Sequence, residues 1–167
     1  MKSLLLLSLL AAVAVSAQDA DKVTVADLNF AVTAPWKSIA PSSSMRKATL
    51  QYPVDGLEKP LEAIFYHFPG GDVPSNIERW KGQIQGADAP KVEEVTVGTT
   101  KVTFFHATGT YTDPFAGLGA QENYAMLGAL IPVEGSGPVA IKLAGPKAAV
   151  DSIKEAFKKM VSSPFQK

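Results

Sequence analysis

The chain has 167 residues, with 16 basic and 16 acidic side chains and a formal net charge of zero. A near-neutral chain without a basic block argues against nucleic acid or an anionic membrane surface as a partner. There is no cysteine, which excludes a disulfide framework, thiol catalysis and thiolate metal sites, so stability has to come from an apolar core.

The N-terminus reads as an export signal. Lys2 supplies the positive start, residues 4–15 form an apolar run, and Val15-Ser16-Ala17 places small residues where a signal peptidase cuts. Cleavage is expected after Ala17, because about a dozen apolar residues fall short of the ~20 that span a bilayer. With no cysteine near the cut, a lipid anchor is excluded. Residues 1–17 are therefore a signal peptide and residues 18–167 a single domain, large enough for a sizeable core. The mature domain is expected to be exported, periplasmic or extracellular, and not inserted in a membrane.

Residues 18–22 are a short polar leader. Val23, Val25, Leu28, Phe30 and Val32 then alternate, predicting one or two strands with a kink or turn at Asp27-Leu28-Asn29. Pro35 and Pro41 bound an extended piece whose Trp36 plugs one edge of the core. Residues 46–52 form a strand with Ala48, Leu50 and Tyr52 on one face and Lys47, Thr49 and Gln51 on a solvated one. Asp55-Gly56 is a turn signal, and residues 61–68 return as a strand that Pro69-Gly70-Gly71 stops.

A helix follows over residues 75–84. Ser75 and Glu78 fit a capping box, and Ile77, Trp80 and Ile84 fall on one helical face. Lys91–Val97 and residues 101–111 form a hairpin across Gly98-Thr99-Thr100. Val102, Phe104 and His106 share one face of its long second strand; Thr103, Phe105 and Ala107 share the other.

The centre of the chain is the next hairpin, residues 124–132 and 139–144. Between its arms lie Gly135 and Gly137, both able to take φ > 0. Met126 and Leu130 point one way; Leu127, Ala129 and Ile131 point the other. A strand apolar on both sides requires cover on both faces.

Gly145-Pro146 opens the last helix, with Val150, Ile153, Phe157, Met160 and Val161 as its apolar stripe and Asp151, Glu155 and several lysines toward solvent. Pro164 ends it. The elements sum to an α+β fold: a largely antiparallel sheet of roughly seven strands, with a mid-chain helix and a C-terminal helix packed on it.

Several short runs carry a resemblance. They are Trp36, SSSMR at 42–46, NIERWKGQ at 76–83, Gly109-Thr110-Tyr111, NYAMLGA at 123–129 and KLAGP at 142–146. Together they resemble a family of small exported bacterial proteins of unknown function, over most of the mature chain. The element order is similar to the PsbP-like fold, an antiparallel sheet sandwiched by helices and ending in a long helix. PsbP-like proteins are mostly non-enzymatic accessory or assembly factors. The resemblance thus implies a non-enzymatic binding or accessory module of the cell envelope, and it carries over no catalytic residue.

Candidate chemistry is sparse. His67 and His106 both fall in strands and could share a sheet face. With Asp113 or Glu122 as a third ligand they could start a zinc or copper site, although no local spacing motif supports one. The bland alternative is two partly buried histidines with local hydrogen bonds. Ser42, Ser43 and Ser44 could offer a nucleophile to a histidine, but there is no Gly-x-Ser-x-Gly elbow. A metal-dependent or serine hydrolase using His67 or His106 is the alternative function. Glu93 and Glu94 are adjacent on a strand and point to opposite faces, so they cannot form an acid/base pair. Gly70-Gly71 and Gly117-Leu118-Gly119 are turns rather than phosphate loops, and no cofactor is implied.

The loop over residues 113–120 is unusually apolar. Phe115 and Leu118 lie among glycines, framed by Tyr111 and Tyr124. These four side chains are the expected lip for a small apolar molecule or an envelope protein partner. In the alternative, Phe115 and Leu118 tuck back and close the open end of the core.

Overall fold

The computed structural model describes residues 21–166 except 87, 115, 116 and 118. Strands β1 (Asp21–Val25) and β2 (Leu28–Val32) form a hairpin and a two-stranded sheet of their own. It turns at Ala26-Asp27, with Ala26 at φ 51°. Strands β3 (Lys37–Ile39), β4 (Ala48–Tyr52) and β5 (Leu61–His67) meander antiparallel. Trp36 is buried, with its ring edge-on to Tyr52 at 4.8 Å. Helix α1 (Val73–Gln83) leads into β6 (Ile84–Gln85), β7 (Lys91–Val97) and β8 (Thr100–Tyr111). Strands β9 (Gln121–Ile131) and β10 (Val139–Pro146) precede helices α2 (Lys147–Ser152) and α3 (Lys154–Ser162) and a closing 3-10 turn.

The main sheet runs β3-β4-β5-β10-β9-β8-β6, with β7 also paired to β8. Its neighbouring strands are all antiparallel. The two-sided apolar hairpin β9–β10 lies at its centre, as the residue pattern required. Alternation then sorts the side chains. Phe65, Leu127, Ala129, Ile131, Ile141 and Leu143 bury on a first face, under β1–β2 and α2–α3. Phe105, Met126, Leu130 and Ala140 bury on a second face, under Ile77, Trp80 and Ile84 of α1 and its end.

Four details depart from the sequence expectation. The cap of α1 is Asp72, whose Oδ1 accepts the Ser75 amide at 2.8 Å. A carboxylate at the N-cap, followed by Pro74 in the first turn, outcompetes the Ser75 box, and Glu78 instead pairs with Lys81 at 2.7 Å. The last helix breaks into two at Ile153, φ −111° and ψ 9°, although its whole apolar stripe is buried. Thr49 is 1% exposed, not solvated, because Ile39 and Ile64 flank it in register. Pieces as short as β3 and β6 bring the main sheet to eight strands among the described residues, close to the roughly seven expected, and the β1–β2 hairpin stands apart from it. The signal segment and its cleavage position lie outside the described residues. Among those residues, no helix is long and apolar enough to cross a membrane.

Candidate functional site

Helix α1 covers only part of the second face. Trp80 packs directly on β9: a Cβ at Gly128 would come 2.3 Å from Trp80 Cζ3, so only glycine admits the ring this close. Beyond Trp80 a cleft of about 500 Å³ opens over β10 and β5, within the size range of small-molecule sites. The loop between β3 and β4 brings Ser42, Ser43, Met45 and Arg46 to it. The end of β5 brings Tyr66 and Phe68, and α1 brings Arg79, Trp80 and Gln83. Lys142 of β10 and Asp113, just after β8, complete the lining. Phe68 and Arg79 also line an adjoining recess of about 340 Å³ toward Asp72 and Asn76.

A buried ion pair stands among these side chains. Lys142 Nζ donates to Asp113 Oδ2 at 2.7 Å and to Gln83 Oε1 at 3.2 Å. Their side chains are only 8% and 11% exposed. Tyr111 donates its hydroxyl to the same Asp113 oxygen at 2.8 Å, and Lys142 Nζ sits 5.7 Å from the Tyr111 ring centre. Burying opposite charges is tolerated only when their hydrogen-bonding capacity is filled in this way. Burial, reinforced by the hydrogen bond to Asp113, pushes the Tyr111 phenol far above its ordinary range. Burial also raises Tyr66, with the Arg46 and Arg79 guanidiniums opposing the rise and Asp113 adding to it. A buried charge pair with perturbed neighbours at a cleft makes it a candidate functional site.

The rim is mixed. Arg46 Nη1 reaches Glu62 Oε2 at 3.4 Å, and Gln51 donates to the other Glu62 oxygen at 3.1 Å. Arg79 Nη2 donates to Asn76 Oδ1 at 2.6 Å. Among the described residues, the exposed large apolar side chains are Met45, Phe68 and Val92, and the first two line this cleft. Tyr66 and Phe68 stack with ring centres 6.1 Å apart.

The expected lip is partly placed. Tyr111 and Tyr124 stack, 6.1 Å apart and 6° from parallel. Phe115 and Leu118 lie outside the described residues. Asp113, which opens their loop, is rooted beside Lys142.

The two histidines share the first face, yet they do not meet. His106 is in register with Leu127, Leu143 and then Ala63; His67 lies four residues beyond Ala63 on β5. By strand spacing they are roughly 14 Å apart along the strands and roughly 14 Å across them. His67 Nε2 contacts Gly137 O at 3.1 Å and Ser136 Oγ at 3.0 Å, whereas His106 Nε2 is 3.4 Å from Asp151 Oδ1. Alternation turns His67 away from the cleft that its neighbours Tyr66 and Phe68 line, and so away from Ser42 and Ser43. Asp113 is engaged on the second face and Glu122 is exposed. Among the described residues, no three His, Asp or Glu side chains converge as a metal site would need.

Sequence reasoning missed Lys142, Arg46, Tyr66 and Arg79. The signal for Lys142 was present: a lysine between Ile141 and Leu143, in a strand covered on both faces, demands a buried acceptor.

The architecture is similar to that in the solution structure of cyanobacterial PsbP (CyanoP) from Synechocystis sp. PCC 6803. The match has a TM-score of 0.53 and 12% sequence identity, and covers 92% of this chain and 96% of that one. At that identity the likeness is one of fold, and the fold is PsbP-like. No protein-family model matches the chain, and no curated protein sequence matches it.

Proposed function

We propose that the protein is a non-enzymatic, exported binding module of the cell envelope, and that its ligand occupies the cleft beside α1. One observation carries this reading. A recess of about 500 Å³ holds a buried Lys142–Asp113 pair against aromatic walls, and it occupies a region of the sheet face that α1 leaves open. The likeness to cyanobacterial PsbP supports the fold on which the reading rests. The hydrolase alternative gains nothing from the geometry, since a serine–histidine contact at His67 and a histidine–carboxylate contact at His106 stand far apart.

Native mass spectrometry of the chain, purified gently from an exporting host, tests the proposal. The expected species begins at Gln18 and carries an organic mass. Ser43→Trp, which fills the cleft from an exposed loop, should remove that mass without lowering the melting temperature. A wild-type adduct that Ser43→Trp leaves untouched would place the ligand elsewhere.

The lip of Tyr111, Phe115, Leu118 and Tyr124 is part of the same proposal. Phe115→Ala and Leu118→Ala should weaken ligand binding while the melting temperature holds. A drop of several degrees in both would instead assign Phe115 and Leu118 to the core.

A further inference from the structure

Taking the cleft as the binding site, we infer that its ligand is a small organic anion: a carboxylate, phosphate or sulfonate joined to an apolar or aromatic body. The lining carries three cations, Arg46, Arg79 and Lys142, against a single carboxylate, Asp113. Asp113 is matched to Lys142 at 2.7 Å, so the arginines supply the surplus positive charge. Among the described residues, Arg79 pairs with no carboxylate and holds only the Asn76 amide oxygen. Arg46 touches Glu62 through one nitrogen at 3.4 Å, a long contact that leaves its other N–H groups to a ligand. A guanidinium presents five donors in a planar fork suited to carboxylate or phosphate oxygens. Lys142 has three donors, of which Asp113 and Gln83 take two.

The two arginines come from different elements, the β3–β4 loop and α1, yet they bear on one volume. Both line the cleft with Tyr66, and both oppose the rise that burial imposes on its hydroxyl. The apolar half of the ligand follows from the walls. Met45 and Phe68 are 51% and 41% exposed, and Phe68 stacks on Tyr66 at 6.1 Å. Leaving two large apolar side chains in water at the mouth of a cationic recess fits a molecule that covers them while its charged end reaches the arginines.

The test uses two fluorescent probes of nearly the same shape, anilinonaphthalene sulfonate and uncharged phenylnaphthylamine, titrated into the intact chain. The sulfonate is expected to bind about tenfold or more tightly than the neutral probe and to quench Trp80 emission. Arg46→Gln with Arg79→Gln should raise the sulfonate Kd by about tenfold or more, the loss expected for charge-assisted hydrogen bonds. The same pair should move the neutral probe by less than about twofold. Near-ultraviolet circular dichroism of the double variant checks that the fold is intact.

Equal affinity for the two probes, or a sulfonate Kd indifferent to the double substitution, would overturn the anion inference while leaving the cleft as a site. Failure of both probes to bind, or binding that Ser43→Trp does not disturb, would remove the cleft reading and this inference with it.

Discussion

The two faces of the central sheet are covered to different extents and with different chemistry. On the first face a hairpin and two helices seal a core containing Phe30, Phe65, Ile141, Leu143 and Phe157. Phe30 meets Phe65 edge-on within it, with ring centres 5.0 Å apart, and the recess at its margin, near Phe104 and His106, measures about 190 Å³. On the second face one eleven-residue helix covers part of the surface. The remainder is a larger cleft holding a buried ion pair. The same strands serve both faces, because successive side chains point to opposite sides. The sheet therefore carries its larger apolar core on one side and a cleft with a buried ion pair on the other, with no strand devoted to either task alone.

The ion pair offers the largest test of that division. Asp113→Ala strands Lys142 in a buried site and should cost about 3–5 kcal/mol in urea unfolding. Replacing the whole group, with Asp113→Leu, Lys142→Met and Tyr111→Phe together, should restore stability to the wild-type value or above while abolishing ligand binding. A triple variant as unstable as Asp113→Ala would make the pair a structural element and blur the contrast between the faces.

Gly128→Ala comes next. The added methyl meets the Trp80 ring, and overpacking of this kind costs about 1–3 kcal/mol. The expected signature is a changed Trp80 emission together with weakened binding, since the displaced ring forms a wall of the cleft. Unchanged binding with a full stability loss would show that α1 can shift without altering the site.

The smallest expected effect belongs to the first face. Burial, aided by the Lys154 charge, holds His106 below its usual 6.5 against the pull of Asp151. The unfolded chain therefore binds more protons as pH falls through about 6.5, so this contribution is present above that pH and lost below it. Burial tends to raise Asp151, but hydrogen bonds from Lys147 and Lys154 outweigh it and bring the carboxyl to about 2. Its own loss of stability therefore lies lower, as pH drops from 3.8 toward 2. The urea midpoint should decline between about pH 7.5 and pH 5.5, and His106→Gln should flatten that decline. A slope that survives the substitution would point to another group.

Much of the fold was legible because side-chain periodicity is a local property. Met126 and Leu130 on one side, with Leu127, Ala129 and Ile131 on the other, require a strand covered twice. The stripe from Val150 to Val161 requires a helix against a core, whatever the rest of the chain does. The cap of α1 was misread because two local solutions compete there, and the Asp72 carboxylate reaches the Ser75 amide first.

The site was not legible, because its members are far apart in sequence. Lys142 and Asp113 are separated by 29 positions, and Arg46, Tyr66 and Arg79 join them from three further segments. The sequence alone states that a lysine inside an apolar strand needs a buried acceptor. Only the strand order, with β10 between β5 and β9 under the end of α1, decides that Asp113 and Gln83 supply it. That same order separates the two histidines, because β10 and β9 intervene between the strands that carry them. Periodicity along a chain selects the face of each side chain; its neighbours on that face are set by long-range hydrogen-bonded pairing, which no local pattern encodes.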